Sequence, residues 1–377
     1  MLLSRLVAGL GLAVLLAMPV RAFETAARAA ILVDFRSGQV LFAKEPDLPL
    51  PPASMSKLMT AYMAFEALRE GRLRLDDMLL VSERAWKMGG SQMFLEVGKR
   101  AAVSDLLRGI IVQSGNDACV VIAEALAGSE EAFAQRMNEK AAELGLTNSH
   151  FVNSTGLDAP EHQMSVRDLA TIARRIIEDF PEFYRLYSER EFTYANIRQP
   201  NRNPLLQNDV PGVDGLKTGY TSAAGYGLVA SALREQRRLI LVVTGLASLR
   251  ERRQEAERLL EYGFREFEEY RLFEAGQVVR DVAVWLGAAD RLPLVAQQTV
   301  AVTLPRSARG SLTARLSFDS PVPAPVAEGQ PIGEIEVAAD GVSPFKVPLV
   351  AATSVAAAGP WRRLTGMAGY LIWGAPS

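Results

Sequence analysis

Strand-like sequence at both ends of a long helical run constrains this chain more than any other feature. Residues 31–35 and 39–42 flank Arg36-Ser37-Gly38, and the whole of 30–44 reads as a hairpin. After a break at 49–52, residues 54–69 carry apolar side chains at Leu58, Met59, Tyr62, Met63, Phe65 and Leu68, a single buried helical face. Residues 103–126 read as two helices interrupted at 113–116. Residues 129–144, closed by Gly145, and 165–179, ending before Pro181, are two more. From Asp214 the pattern returns to strands at 215–218, 226–232 and 238–244, separated by turns, and 251–267 is again helical. An antiparallel meander joined by the first hairpin, with helices between them in sequence, predicts an α+β fold: one antiparallel sheet flanked by helices.

The texture changes after Leu272. Short alternating or apolar pieces at 278–285, 299–304, 312–318 and 332–337, punctuated by Gly and Pro, predict a small all-β domain. At the N-terminus, Arg5, the apolar run 6–18 and Val20-Arg21-Ala22 read as a secretory signal peptide cleaved after Ala22; the alternative is a membrane anchor or a buried helix. At the other end, 361–373 as a helix gathers Trp361, Leu364, Met367, Ala368, Leu371 and Ile372 on one side, with Arg362 and Arg363 at its start. It is too short to span a bilayer and suits an amphipathic helix lying at a membrane surface. A terminal helix packed on the β domain is the plainer alternative. The expected division is signal peptide 1–22, catalytic domain 23–270, β domain 271–351, and linker with anchor helix 352–377. The expected location is outside the cytoplasm, at a membrane surface.

Composition narrows the chemistry. A net charge of −2 gives no reason to expect a nucleic-acid partner. One cysteine, Cys119, leaves no internal disulfide, and its apolar context marks it as a core residue. With only His150 and His162 besides, no metal or other cofactor is expected, and nucleophilic chemistry must use a base other than histidine.

Three short motifs supply that chemistry. In Ser54-Met-Ser-Lys57, residues three apart on a helix meet, and a buried, neutral lysine can take the serine proton. The same tetrapeptide also fits a solvated helix start. Ser114-Gly-Asn116 lies in the helix break, either as a plain turn or as a loop offering Ser114 for proton transfer and Asn116 for a substrate amide. Lys217-Thr218-Gly219 lies on a strand. The lysine either points to solvent or, with Thr218, binds a carboxylate, while Gly219 lets a peptide approach the backbone.

The ordered triplet Ser-x-x-Lys, Ser-x-Asn, Lys-Thr-Gly is the signature of the penicillin-recognising serine enzymes. In the forms Pro-Ala-Ser-Met-Ser-Lys57, Ser114-Gly-Asn-Asp-Ala and Asp214-Gly-Leu-Lys-Thr-Gly219, it resembles the D-alanyl-D-alanine carboxypeptidases, low-molecular-mass penicillin-binding proteins of the DacA type. Residues 151–158 are also similar to that family, and the resemblance covers nearly the whole mature chain. It implies Ser54 as acylated nucleophile, Lys57 as its base, Ser114 as proton relay, Asn116 as peptide holder, and Lys217 with Thr218 on the terminal carboxylate. It further implies an oxyanion hole from the backbone N–H groups of Ser54 and Tyr220, and places Arg202 and Arg252 near the carboxylate, though ordinary surface arginines would look the same. The loop 89–94 resembles one bordering the family site. Tyr220 stands where the family often has histidine. The implied substrate is the peptidoglycan pentapeptide, with β-lactams as covalent inhibitors. Two rivals stay open: a β-lactamase, for which no Glu-x-x-Leu-Asn pattern follows Asn116, and a catalytically silent wall-binding or scaffolding protein, which intact Ser54 and Lys57 disfavour.

Overall fold

The computed structural model describes residues 23–340 and 342–361. The expected signal peptide, and the expected anchor helix beyond Trp361, lie outside the described residues.

The chain enters on β1 (Ala29–Asp34), buried along its whole length, and turns back as β2 (Val40–Lys44). The Asp34 carboxylate accepts from the Ser37 backbone N–H and hydroxyl, each at 3.0 Å, and fixes the turn. A four-residue 3-10 turn, Ala53–Ser56, runs directly into α1 (Lys57–Arg69). A small excursion follows, β3 (Met78–Leu80), α2 (Glu83–Trp86) and β4 (Arg100–Ala102). Then α3 (Val103–Arg108) passes through a π-helical turn at Gly109–Gln113 before α4 (Asn116–Ala127). Next come α5 (Glu130–Glu143) and α6 (Val166–Asp179), each started by a serine hydroxyl accepting from the third backbone N–H on, the usual way to satisfy an orphan helix donor. Short pieces α7 (Pro181–Tyr184), the hairpin β5 (Glu191–Tyr194) and β6 (Ile197–Pro200), and α8 (Pro204–Gln207) lead to the meander β7 (Val213–Thr221), β8 (Gly225–Arg234), β9 (Arg237–Leu246), then α9 (Leu249–Glu266).

The sheet runs β2-β1-β9-β8-β7, antiparallel throughout, so the N-terminal hairpin joins the meander as expected. Alternation sends Ile31, Val229 and Val242 into the core shared with α1, α4 and α6. It sends Leu32, Leu228 and Leu241 to the other face, under Leu259 and Leu260 of α9. At Gly263 a Cβ would lie 2.5 Å from Leu32 Cδ2, so the missing side chain is what lets α9 sit this close. The strand β7 is left at the edge, beside the 3-10 turn that carries Ser54.

The second domain follows without a linker. It contains β10 (Phe267–Phe273), β11 (Val278–Trp285), β12 (Arg291–Ala296), β13 (Val300–Pro305), β14 (Thr313–Phe318), β15 (Val322–Pro323), β16 (Pro331–Ala339) and β17 (Val342–Ala351). β10 pairs with β13, and the other six form a sheet ordered β14-β16-β17-β12-β11-β15. The helix expected to reach residue 267 ends at Glu266: Phe267 and Tyr270, three apart, imitate a helical stripe but belong to β10. β12 and β17 carry Pro293, Pro344 and Pro348, residues that argue against an inner strand, and yet both lie inside the sheet. Polar contacts lock the two domains. Arg36 pairs with Glu269 at 2.9 Å, Gln39 accepts from the Thr303 N–H at 3.1 Å, and Arg237 pairs with Asp34 at 3.1 Å and donates to the Gly263 and Phe267 carbonyls.

Candidate active site

Ser54 sits in the 3-10 turn at the head of α1. With three residues per turn, positions i and i+3 eclipse, and Lys57 Nζ lies 2.8 Å from Ser54 Oγ. Ala53, just before it, holds φ at 49°, a left-handed conformation that a non-glycine residue adopts only under constraint. The constraint is visible. Gly219 of β7 lies so close to this turn that a Cβ on it would come 2.9 Å from the Pro52 carbonyl oxygen and 3.1 Å from Ala53 Cβ. The sequence suggested that Gly219 admits a peptide to the strand. Its first use here is to admit the turn that carries Ser54.

Lys57 is 1 % exposed. Its amine donates to the Thr155 carbonyl at 2.6 Å. Burial is the main cause that lowers its pKa to about 8; Cys119 and Asp117 pull upward, and Arg202 pushes further down. The Asp117 carboxylate accepts from the N–H groups of Met93, Leu95 and Ala118. The Cys119 thiol is buried, as expected, and burial pushes it up to about 12.

The second motif is delivered by strain. The π-helical turn ends on Ser114, whose φ of 64° turns its hydroxyl out of the helix pair. Lys217 Nζ lies 2.9 Å from Ser114 Oγ and 3.2 Å from the Thr218 carbonyl. Lys217 is fully buried, and burial first, then the neighbouring Lys57, holds its pKa well below the usual amine range. Three segments far apart in sequence therefore bring Ser54–Lys57 and Ser114–Lys217 to one place.

Other expected residues are placed as follows. Thr218, Gly219, Tyr220, Arg202 and Arg252 line one cleft with Ser54 and Ser114, of about 810 Å³. Tyr220 stacks on Tyr226, its partner across β7–β8, with ring centres 4.2 Å apart. Asn116 behaves differently. Its amide Nδ2 donates to the Gly89 carbonyl at 2.8 Å and its backbone N–H to the Ser91 carbonyl at 2.7 Å, so it fastens the loop around residues 89–91. Its Oδ1 is buried without a partner. Arg202 donates to the Ser91 hydroxyl of the same loop. The loop 89–94, marked by the resemblance as bordering the site, brings Ser91 to the cleft wall, while sequence reasoning missed Gln199, Tyr226, Arg250 and Arg253 there, and missed the Thr155 carbonyl. The resemblance of residues 151–158 was the one available signal for the last.

The 151–158 segment is itself tightly held. Asn153 Oδ1 accepts from Thr155 N–H, the Thr155 hydroxyl and Gly156 N–H. Buried Glu130 accepts from Ser154 N–H and its hydroxyl. His162 is no base for Ser54. Its Nδ1 accepts from Val152 N–H, so its Nε2 carries the proton and donates to Ser56 Oγ at 2.8 Å, and burial lowers its pKa to about 4.

Gly156 is the tightest point. It has φ of 77°, and a Cβ would lie 2.0 Å from the Ala53 carbonyl oxygen. Gly156→Ala is expected to destabilise the protein by about 2 kcal/mol or more. It should also lower activity at temperatures where the variant is still folded, because the displaced turn carries Ser54. Denaturant titration with an activity assay checks both; a variant of wild-type stability and rate would contradict the close packing.

The catalytic half matches the family model described as D-alanyl-D-alanine carboxypeptidase over residues 17–248, and residues 267–357 match that of penicillin-binding protein 5, C-terminal domain. The D-alanyl-D-alanine carboxypeptidase DacC of Escherichia coli (strain K12) is 41% identical over 345 residues, 90% of this chain and 86% of that protein. The crystal structure of penicillin-binding protein 5 from Haemophilus influenzae superposes with a TM-score of 0.84 at 39% identity, covering 89% of this chain and 99% of that one. Penicillin-binding protein D2 of Listeria monocytogenes, solved in an ampicillin-bound form, is 29% identical with a TM-score of 0.59, covering 64% of this chain and 99% of that one. With its two lysine–serine pairs in one cleft and both family models matched in order, the chain belongs to the D-alanyl-D-alanine carboxypeptidase family.

Proposed function

We propose that this protein is a serine-type D-Ala-D-Ala carboxypeptidase that removes the terminal D-alanine from peptidoglycan pentapeptides through an acyl-enzyme on Ser54. The observation that carries the reading is the buried Lys57 amine 2.8 Å from Ser54 Oγ. As the hydroxyl attacks the carbonyl carbon of the penultimate D-alanine, neutral Lys57 takes its proton. Backbone N–H groups of Ser54 and Tyr220 receive the oxyanion, donors worth about 10²–10³ each in rate. Ser114, held by Lys217, passes a proton to the leaving amine. Lys217, Thr218, Arg202 and Arg252 receive the terminal carboxylate. Asn116 contributes by its free Oδ1 and by fixing the 89–91 loop. Water then cleaves the ester. Penicillin enters the same path and acylates Ser54. Among the described residues no aspartate or glutamate lines the cleft to activate a deacylating water, which favours a long-lived penicilloyl adduct over the β-lactamase reading.

The relatives at about 40% identity, from Escherichia coli and Haemophilus influenzae, are D-alanyl-D-alanine carboxypeptidases. The finer location, exported and held peripherally at the periplasmic face of the cytoplasmic membrane, rests on the sequence patterns at 1–22 and 361–373, and on Trp361, which is 82% exposed. No described helix is long and apolar enough to cross a membrane.

Three outcomes are expected. Ser54→Ala should lower D-alanine release from a pentapeptide by about 10³ or more and abolish the penicillin adduct seen by mass spectrometry. An adduct on another residue, or rapid nitrocefin turnover, would overturn the assignment. Because Lys57 acts as the free amine, acylation should rise with pH and level off above about 8, as a stopped-flow penicillin-binding profile would record. A flat profile from pH 6 to 9 removes Lys57 as base. Chains ending at Pro360 should stay active but leave the membrane fraction; retention there refutes the anchor.

A further inference from the structure

The cleft holds more positive charge than a terminal D-alanine needs. Among the described residues four arginines line it, Arg202, Arg250, Arg252 and Arg253, and no aspartate or glutamate does. A C-terminal D-alanine brings one carboxylate and one methyl group. In the reading above, Lys217, Thr218, Arg202 and Arg252 meet that carboxylate. Arg250 and Arg253 are left over.

Their position is separate from the reacting serine. α9 covers the sheet face opposite α1, so the cleft passes over the β7 edge, from the Ser54 turn on one side to the start of α9 on the other. Arg252 turns inward at that crossing. It is 5% exposed, its Nη1 is 3.5 Å from the Gly227 carbonyl, its Cζ lies 5.8 Å from the Tyr226 ring centre, and its buried Nε has no partner. Tyr226 is in turn covered by Tyr220. Leu249, Arg250 and Arg253 of α9 line the cleft wall together with Pro204 and Gln207 of α8. Arg250 is exposed, and Arg253 is shared only loosely with Glu257 at 3.5 Å. The eighteen-residue α9 begins at the same wall, where Ser248 accepts from the Glu251 N–H and the Glu251 carboxylate accepts from the Ala247 N–H.

We propose that this wall is a subsite for a second carboxylate, and that the enzyme favours C-terminal D-residues with an acidic side chain, D-glutamate or D-aspartate, over neutral residues of equal size. The inference rests on the carboxypeptidase reading. The chemistry is unchanged: the amide bond to the leaving residue breaks, the ester to Ser54 forms, and the released amine takes the proton.

The test uses three pentapeptides that differ only in the last residue: D-alanine, D-glutamate and D-glutamine. Release of that residue is measured for the full chain and for R250Q/R253Q. The expected kcat/KM for D-glutamate exceeds that for D-glutamine by about fivefold, mostly through KM, and the ratio falls to about one in the variant. A control, R280Q/R315Q on the exposed β domain, removes the same charge and should leave the ratio in place. A ratio of one or less in the unmodified protein overturns the subsite. So does a ratio that survives R250Q/R253Q, or one that the distant control abolishes equally, since net charge would then be the cause. No D-alanine release from the D-alanine peptide is a different failure and refutes the carboxypeptidase reading itself.

Discussion

The contact between the Lys57 amine and the Ser54 hydroxyl is the constraint around which the catalytic domain is arranged. A lysine can act as base only where its charged form is expensive. Here the cost comes from removing water, and the surroundings avoid giving it back. The partner that orients the amine is the neutral Thr155 carbonyl at 2.6 Å. The nearest acid, Asp117, faces three backbone N–H groups instead. A carboxylate in the place of Thr155 would have held the proton on the amine. The loop 151–158 is therefore an electrostatic component made from backbone, kept in shape by Asn153, Glu130 and the neutral ring of His162.

The second amine works in the same dry space. Lys57 disfavours the charge of Lys217, and Arg202 pushes both amines down. A field of this sign is poorly satisfied by the protein alone, and an incoming carboxylate relieves it. Substrate recognition and base activation thus share one cause: positive charge is collected where little solvent can screen it.

Much of this was legible in the sequence because the decisive groups are side chains at fixed local spacing. Ser54 and Lys57 announce each other across one helical turn, and Lys217 stands out in an apolar strand. Long periodic helices such as α1, α5 and α6 were readable for the same reason. What stayed hidden lacked such a marker. Thr155 acts through its carbonyl, which any residue carries. Arg250 falls outside the helix expected at 251–267, and Arg253 lies within it with nothing in its spacing to mark it. The β5–β6 hairpin brings Gln199 to the cleft, yet turns at Ala195 and Asn196 with φ of 47° and 62°, where an Asn-Gly pair would have been the recognisable signal. The prolines of β17 concealed an inner strand, and nothing in the sequence marked the close approach of Gly219 to the Ser54 turn.

The joint between α9 and β10 has a mechanical consequence. Glu266 ends the helix, Phe267 begins the strand, and Arg36, Gln39 and Arg237 bond across the seam. With no linker and three side chains bonded across it, such a joint restrains how far one half can turn against the other. Any tether attached past residue 361 would then hold the cleft at a set radius and a set attitude. Which strands of a surrounding polymer are trimmed would be decided first by their distance from that tether, a selection by reach that no change in the cleft itself could alter.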